Sequence, residues 1–171
     1  MLDYFSRLSL KSTIKKQRAR QVQQFLPWDS ISGIALVLNS NIGDKKKEID
    51  LFIKNTNKPV EVFYIELGAK QPSYSDWHCF TRQHKSLLKL PNSKSSGMFK
   101  EGRFDLVINL CGEDDYFATA LSARLNPTLI CSSFTSFGES ALVIHKQEPF
   151  DLTQYLNEVV HYLKMIKLKR A

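Results

Sequence analysis

The chain has 171 residues, of which 43% are hydrophobic and 24% charged, and a formal net charge of +7. Size and composition are those of one globular domain that buries roughly 70% of its unfolded surface, which argues against a disordered chain and against a scaffold dependent on disulfides or metal. No run approaches the ~18 consecutive apolar residues of a membrane span. Cys79, Cys111 and Cys131 show no CxxC spacing, so neither a disulfide framework nor a zinc ribbon is expected, and a reducing compartment is the simplest reading.

The opening MLDYFSRLSLKSTIKKQRAR lacks the unbroken apolar stretch of a secretory signal. In composition it resembles a transit peptide, but an amphipathic helix of the mature protein is preferred. No Gly or Pro interrupts residues 3–25, which predicts a helix there, ended by Pro27. Its apolar stripe is thin: Tyr4, Phe5, Leu8, Ile14, Val22, Phe25 and Leu26. Such a helix packs along one line, on or beside the body. The expected organisation is therefore a basic helix over 1–26 and a single α/β domain over 27–171.

Residues 31–38 form a short apolar run between polar turns, as a strand buried on both faces does. Asp44 is expected to cap a helix over 45–56 whose inner face is Ile49, Phe52 and Ile53. VEVFYIEL over 60–67 reads as the next strand. The Gly-, Pro- and Ser-rich stretch 68–103 predicts only a short irregular strand near 77–80 and an exposed loop over 92–98. FDLVINL over 104–110 is the clearest central strand. A helix over 114–125 follows, with Phe117, Ala120, Leu121 and Leu125 on one face, then a strand over 128–132. ALVIH over 141–145 predicts a further strand, and Asp151 or Thr153 caps a last helix carrying Leu152, Tyr155, Leu156, Val159, Val160, Leu163 and Ile166 at helical period. This alternation implies an open, mainly parallel sheet with helices on both faces, a Rossmann-like three-layer α/β arrangement with right-handed crossovers.

Motifs that name a chemistry are missing. There is no GxGxxG, P-loop, HExxH or GxSxG, so no catalytic residue, cofactor or metal is assigned. Open α/β sheets bind ligands beyond the carboxyl ends of their strands. That rule points to Asn39, Ser40 and Asn41 after the first strand, and to Glu113, Asp114 and Asp115 after FDLVINL. The three carboxylates suit a hard cation, but they equally suit a helix start, where the macrodipole favours them. His78, Cys79 and His84 raise a metal or Cys–His reading that needs spatial contact. Trp28, Trp77 and Phe80 raise an aromatic platform, against the commoner role of aromatics in a core.

Charge is uneven. Residues 1–26 carry +5, residues 164–171 carry +4, and the remainder carries −2. Lys15, Lys16, Arg18 and Arg20 are the candidates for binding a polyanion, RNA or anionic lipid, or a protein partner, through the basic terminal helices; a solvated helix face is the plain alternative. At FDLVINLCGEDDYFATALSARLNPTLICSSF the chain resembles an uncharacterised family of small bacterial α/β proteins, and the likeness runs from the basic helix to YLNEVVHYLKMIK. That resemblance implies the fold and no site residues. The same segment is similar to one strand–helix unit of heptosyltransferase-type glycosyltransferases, over about thirty residues, which is likeness of fold alone. A non-enzymatic interaction or binding protein is expected, with a ligand-binding protein or enzyme at the strand ends as the alternative. With no spanning or export segment, the expected location is the cytoplasm.

Overall fold

A computed structural model describes residues 2–18, 25–42, 45–68, 74–98, 104–134 and 142–166. Six strands form one sheet: β1 (Ile34–Asn39), β2 (Val60–Ile65), β3 (His78–Phe80), β4 (Leu106–Asn109), β5 (Leu129–Ser132) and β6 (Leu142–Val143). Their order is β3-β2-β1-β4-β5-β6, and every pairing is parallel. The central strand β1 aligns Ile34 with Val60 on one side and with Leu106 on the other. Because the chain winds outward from β1 in both directions, the order reverses between β1 and β4.

The unbroken apolar runs are explained by what covers each face. Ile34, Leu36, Leu38, Leu106 and Ile108 point into one core, shared with α2 (Lys46–Thr56) and α5 (Leu152–Met165). Ala35, Val37, Phe63 and Val107 point into the other, shared with α4 (Tyr116–Arg124). With period-2 alternation and both faces covered, no polar position is left in the middle of β1 or β4. β4 is accordingly an inner strand, flanked by β1 and β5 and fully buried at Leu106, Val107 and Ile108.

The helices differ in detail from expectation. The first helix, α1 (Leu2–Arg18), buries Ile14 of the predicted stripe but not the side chains of its first turns. Ser6, Leu10 and Ile14 are buried, whereas Tyr4, Phe5 and Leu8 are exposed. Leu10 and Ile14 pack with Leu90 on Tyr116, Ala120 and Ala123 of α4, and the two alanines let the helices approach. For the same reason α4 is buried along Tyr116–Ala123 and not on one face: it lies between the sheet and α1. α2 starts after Lys45, which makes no side-chain capping bond; Asp44 lies outside the described residues. The predicted loop at 92–98 contains a one-turn helix, α3 (Ser93–Ser96), started by Asn92, whose side chain accepts from the Lys94 N–H at 2.9 Å. Asp151 rather than Thr153 caps α5, accepting from the Gln154 N–H at 3.0 Å.

After β3, a 3-10 turn (Arg82–His84) carries the chain toward α3. The buried His84 ring accepts the Thr81 N–H on Nδ1 at 2.9 Å, which requires the neutral tautomer protonated on Nε2. Burial, then the charge of Lys94, lowers its pKa below the ordinary value. The unfolded chain thus binds this proton more readily than the folded one. Stability is full above about pH 6.5 and is lost as pH falls through the lower, folded value. Urea midpoints measured from neutral to mildly acidic pH should fall in the wild type and fall less in His84→Asn, which keeps an acceptor at the Nδ1 position.

Candidate functional site

The carboxyl ends of β1 and β4 are built alike. Each strand ends in asparagine, and each side chain turns the chain by accepting a backbone N–H two residues on. Asn39 Oδ1 takes Asn41 N–H at 3.1 Å, and Asn109 Oδ1 takes Cys111 N–H at 3.0 Å. These Asx turns splay the two loops apart where the strand order reverses, and the gap between them is the crevice expected of this topology.

Asp115 ties the two sides together. One carboxylate oxygen accepts the Ala118 N–H at 3.0 Å and caps α4; the other accepts Asn39 Nδ2 at 2.7 Å. The gap opens into a cavity of about 380 Å³. Asn39 and Asn41 line one side, and Gly112 through Phe117 line the start of α4. Leu67, Lys85 and Lys89 complete the lining, from the segments after β2 and the 3-10 turn. α1 closes the rim: Arg7 Nε donates to the Tyr116 hydroxyl at 2.9 Å, and Lys89 Nζ donates to Asp3 at 2.6 Å. The Tyr116 hydrogen bond, helped by the charges of Asp114 and Glu113, raises the Arg7 pKa further. The hydrogen bond with Asp3 does the same for Lys89 and lowers that of Asp3.

Of the residues named from the sequence, Asn39, Asn41, Glu113, Asp114 and Asp115 share this one cavity. Ser40 is exposed and spends its N–H on the Ile65 carbonyl, outside the lining. The cation reading finds no arrangement to support it: among the described residues no three His, Cys, Asp or Glu side chains gather as metal ligands would. Asp115 serves as a helix cap. Lys15 and Lys16 are exposed on α1, Arg18 ends that helix, and Arg20 lies outside the described residues.

The Cys–His grouping is divided by the sheet. His78 stacks on Phe63, with 4.8 Å between ring centroids, and meets Glu61 at 2.9 Å. Cys79, the next residue on the strand, packs against the opposite core and donates to the Tyr74 carbonyl at 3.6 Å. The aromatic platform is divided too, since Trp28 and Trp77 belong to one core and Phe80 to the other. All three cysteines are free thiols, and burial raises the pKa of each, that of Cys131 to about 12 and that of Cys111 well above the ordinary range. Cys111, buried one residue before Gly112 of the lining, is thus held in the protonated form.

Sequence reasoning missed Lys85, Lys89 and the α1 rim. The two lysines come from the stretch that showed no clear periodicity. Leu67 was within reach, because it follows directly from the end of a strand beside β1.

Fold and crevice define a doubly wound parallel α/β domain with an open gap at its switch point. Residues 3–166 match DUF6913, a family of unknown function, and the chain belongs to that family. No match was found among curated proteins or among solved structures.

Proposed function

We propose that this protein binds a small polar ligand in the crevice between β1 and β4. The observation that carries the reading is the cavity itself. At about 380 Å³ it has the size of a small-molecule site. Amide, ammonium and carboxylate groups converge on it from separate segments: Asn39 and Asn41, Lys85, and Glu113 with Asp114. A closed and packed top face would instead have favoured a pure interaction protein. The mixture of charges favours a ligand that carries both an anionic group and a donor-rich or cationic group. Lys89 is engaged by Asp3, so Lys85 is the cation of the lining with no ion-pair partner among the described residues. The three free thiols support a reducing location, the cytoplasm.

Native mass spectrometry of protein purified from its own host should show a retained small molecule. A panel of anionic, cationic and zwitterionic metabolites should contain one that raises the melting temperature by several degrees at about 100 times its Kd, equivalent to ~2.7 kcal/mol. Lys85→Ala should weaken that ligand roughly tenfold or more, as loss of a charged hydrogen bond does. No adduct, together with no shift across the panel, overturns the reading.

A further inference from the structure

The helix α1 presents a second surface. Its inward line is Ser6, Leu10 and Ile14, spaced by four. Side chains at that spacing share a face, so Tyr4, Leu8, Lys11 and Lys15 form a line on the outer side, flanked by Phe5 and Lys16. Exposure agrees: Tyr4 is 65%, Phe5 51% and Leu8 47% exposed, and the three lysines are exposed as well. The outer line is therefore apolar and aromatic over its first turns and basic over its last. Residues 4–16 contain no Asp or Glu.

A neighbouring loop adds to the apolar end. Ser86 N–H bonds the Leu90 carbonyl at 2.8 Å, and Lys85 pairs with Pro91 in an antiparallel bridge. This tight turn holds Leu87 at 93% exposure. The Lys89–Asp3 contact ties the turn to the start of α1.

Three kinds of partner can be weighed by chemistry. A second copy of the chain packed through this face would bring lysine to lysine, since residues 4–16 contribute no carboxylate. A nucleic acid would engage the lysines through phosphate but leave Leu8 and Leu87 in water. An anionic membrane takes both halves: aromatic and leucine side chains sink into the headgroup boundary while lysines meet lipid phosphates. We infer that α1 docks the protein on an anionic membrane surface through Tyr4, Phe5 and Leu8, with Lys11, Lys15 and Lys16 supplying the electrostatic attraction. This surface is separate from the crevice lining, and its test does not depend on any crevice ligand.

The 171-residue chain is incubated with phosphatidylcholine vesicles with or without phosphatidylglycerol, and binding is read by flotation. Binding should require the anionic lipid and fall with salt. Lys11→Gln, Lys15→Gln and Lys16→Gln together should weaken it about a hundredfold, at roughly fivefold per lysine. Phe5→Ser with Leu8→Ser should weaken it about tenfold or more, because the buried apolar area is lost. All five positions tolerate these changes in the fold, because the side chains are exposed; circular dichroism checks this. Three outcomes overturn the inference. One is failure to bind anionic vesicles at low salt. Another is vesicle binding unaffected by Phe5→Ser with Leu8→Ser, alongside tighter lysine-dependent binding to RNA, which would assign the face to nucleic acid. The third is a dimer in solution that Phe5→Ser with Leu8→Ser dissolves, which would assign it to a second copy.

Discussion

Phe63→Ala should cost about 3–5 kcal/mol, the range for removing a buried phenyl ring. Phe63 is fully buried on β2 and touches rings from three directions. His78 stacks on it at 4.8 Å, Phe80 lies nearly parallel at 6.3 Å, and Phe104 meets it edge-on at 5.6 Å. The cavity left behind would lie inside the sheet's packing with α4, where neighbouring strands hold the backbone and prevent collapse. Chemical denaturation should show the midpoint fall by about a fifth or more, taking about 5–15 kcal/mol for the total stability. Leu87→Ala, at the most exposed large apolar position among the described residues, should change stability by no more than about 0.5 kcal/mol. Equal effects of the two substitutions would contradict the core described above.

Asp115 is the second position of large effect. Asp115→Ala removes the α4 cap, at ~1 kcal/mol, and strands the Asn39 amide, at a further ~1–3 kcal/mol. Asp115→Asn tests the geometry more sharply. An amide at 115 has one acceptor atom, so it can cap Ala118 or receive from Asn39, but not both. If it caps, its NH₂ faces the Asn39 NH₂, donor against donor. Turning the Asn39 amide over would relieve that clash but take the acceptor away from Asn41. The reciprocal exchange, Asn39→Asp with Asp115→Asn, restores an acceptor for the Asn41 N–H, a donor–acceptor pair across the gap and an acceptor for Ala118. It should recover most of the loss, giving a favourable coupling of ~1 kcal/mol in a double-mutant cycle. If the exchange is no better than the sum of its single changes, the bridge between β1 and α4 is not formed as described.

The strands and the two long body helices were legible in the sequence because each carries a period that only one structure satisfies. Buried parallel strands read as apolar runs, and α5 repeats its apolar side chains at the helical spacing. The face of α1 was not legible. Tyr4 and Phe5 are its aromatic side chains, so hydrophobicity alone put them, with Leu8 and Ile14, on the inside. What selects Leu10 over Leu8 is a tertiary fact, the shallow alanine surface that α4 offers at Ala120 and Ala123. In the candidate site, the strand-end rule found the asparagines and the carboxylates because it needs only strand order. Lys85 and Lys89 were out of reach, since no local pattern shows that the segment after β3 returns over the β1–β4 gap.

The edges of the sheet have a consequence for how this chain behaves at high concentration. Its inner strands contain the segments IALVL and VEVFYI, which are rich in the side chains that favour cross-β stacking. β1 is flanked by β2 and β4, and β3 pairs with β2 over Phe63–Ile65. The outermost strands are β3, with three residues, and β6, with two. Among the described residues, an incoming strand would find short edge strands at β3 and β6, which disfavour edge-to-edge polymerisation. The protection has a weak point at β3. Its three residues cover only Phe63–Ile65 of β2, so a lesion that frees His78–Phe80 would uncover the whole β2 edge, and self-association would then be expected before global unfolding.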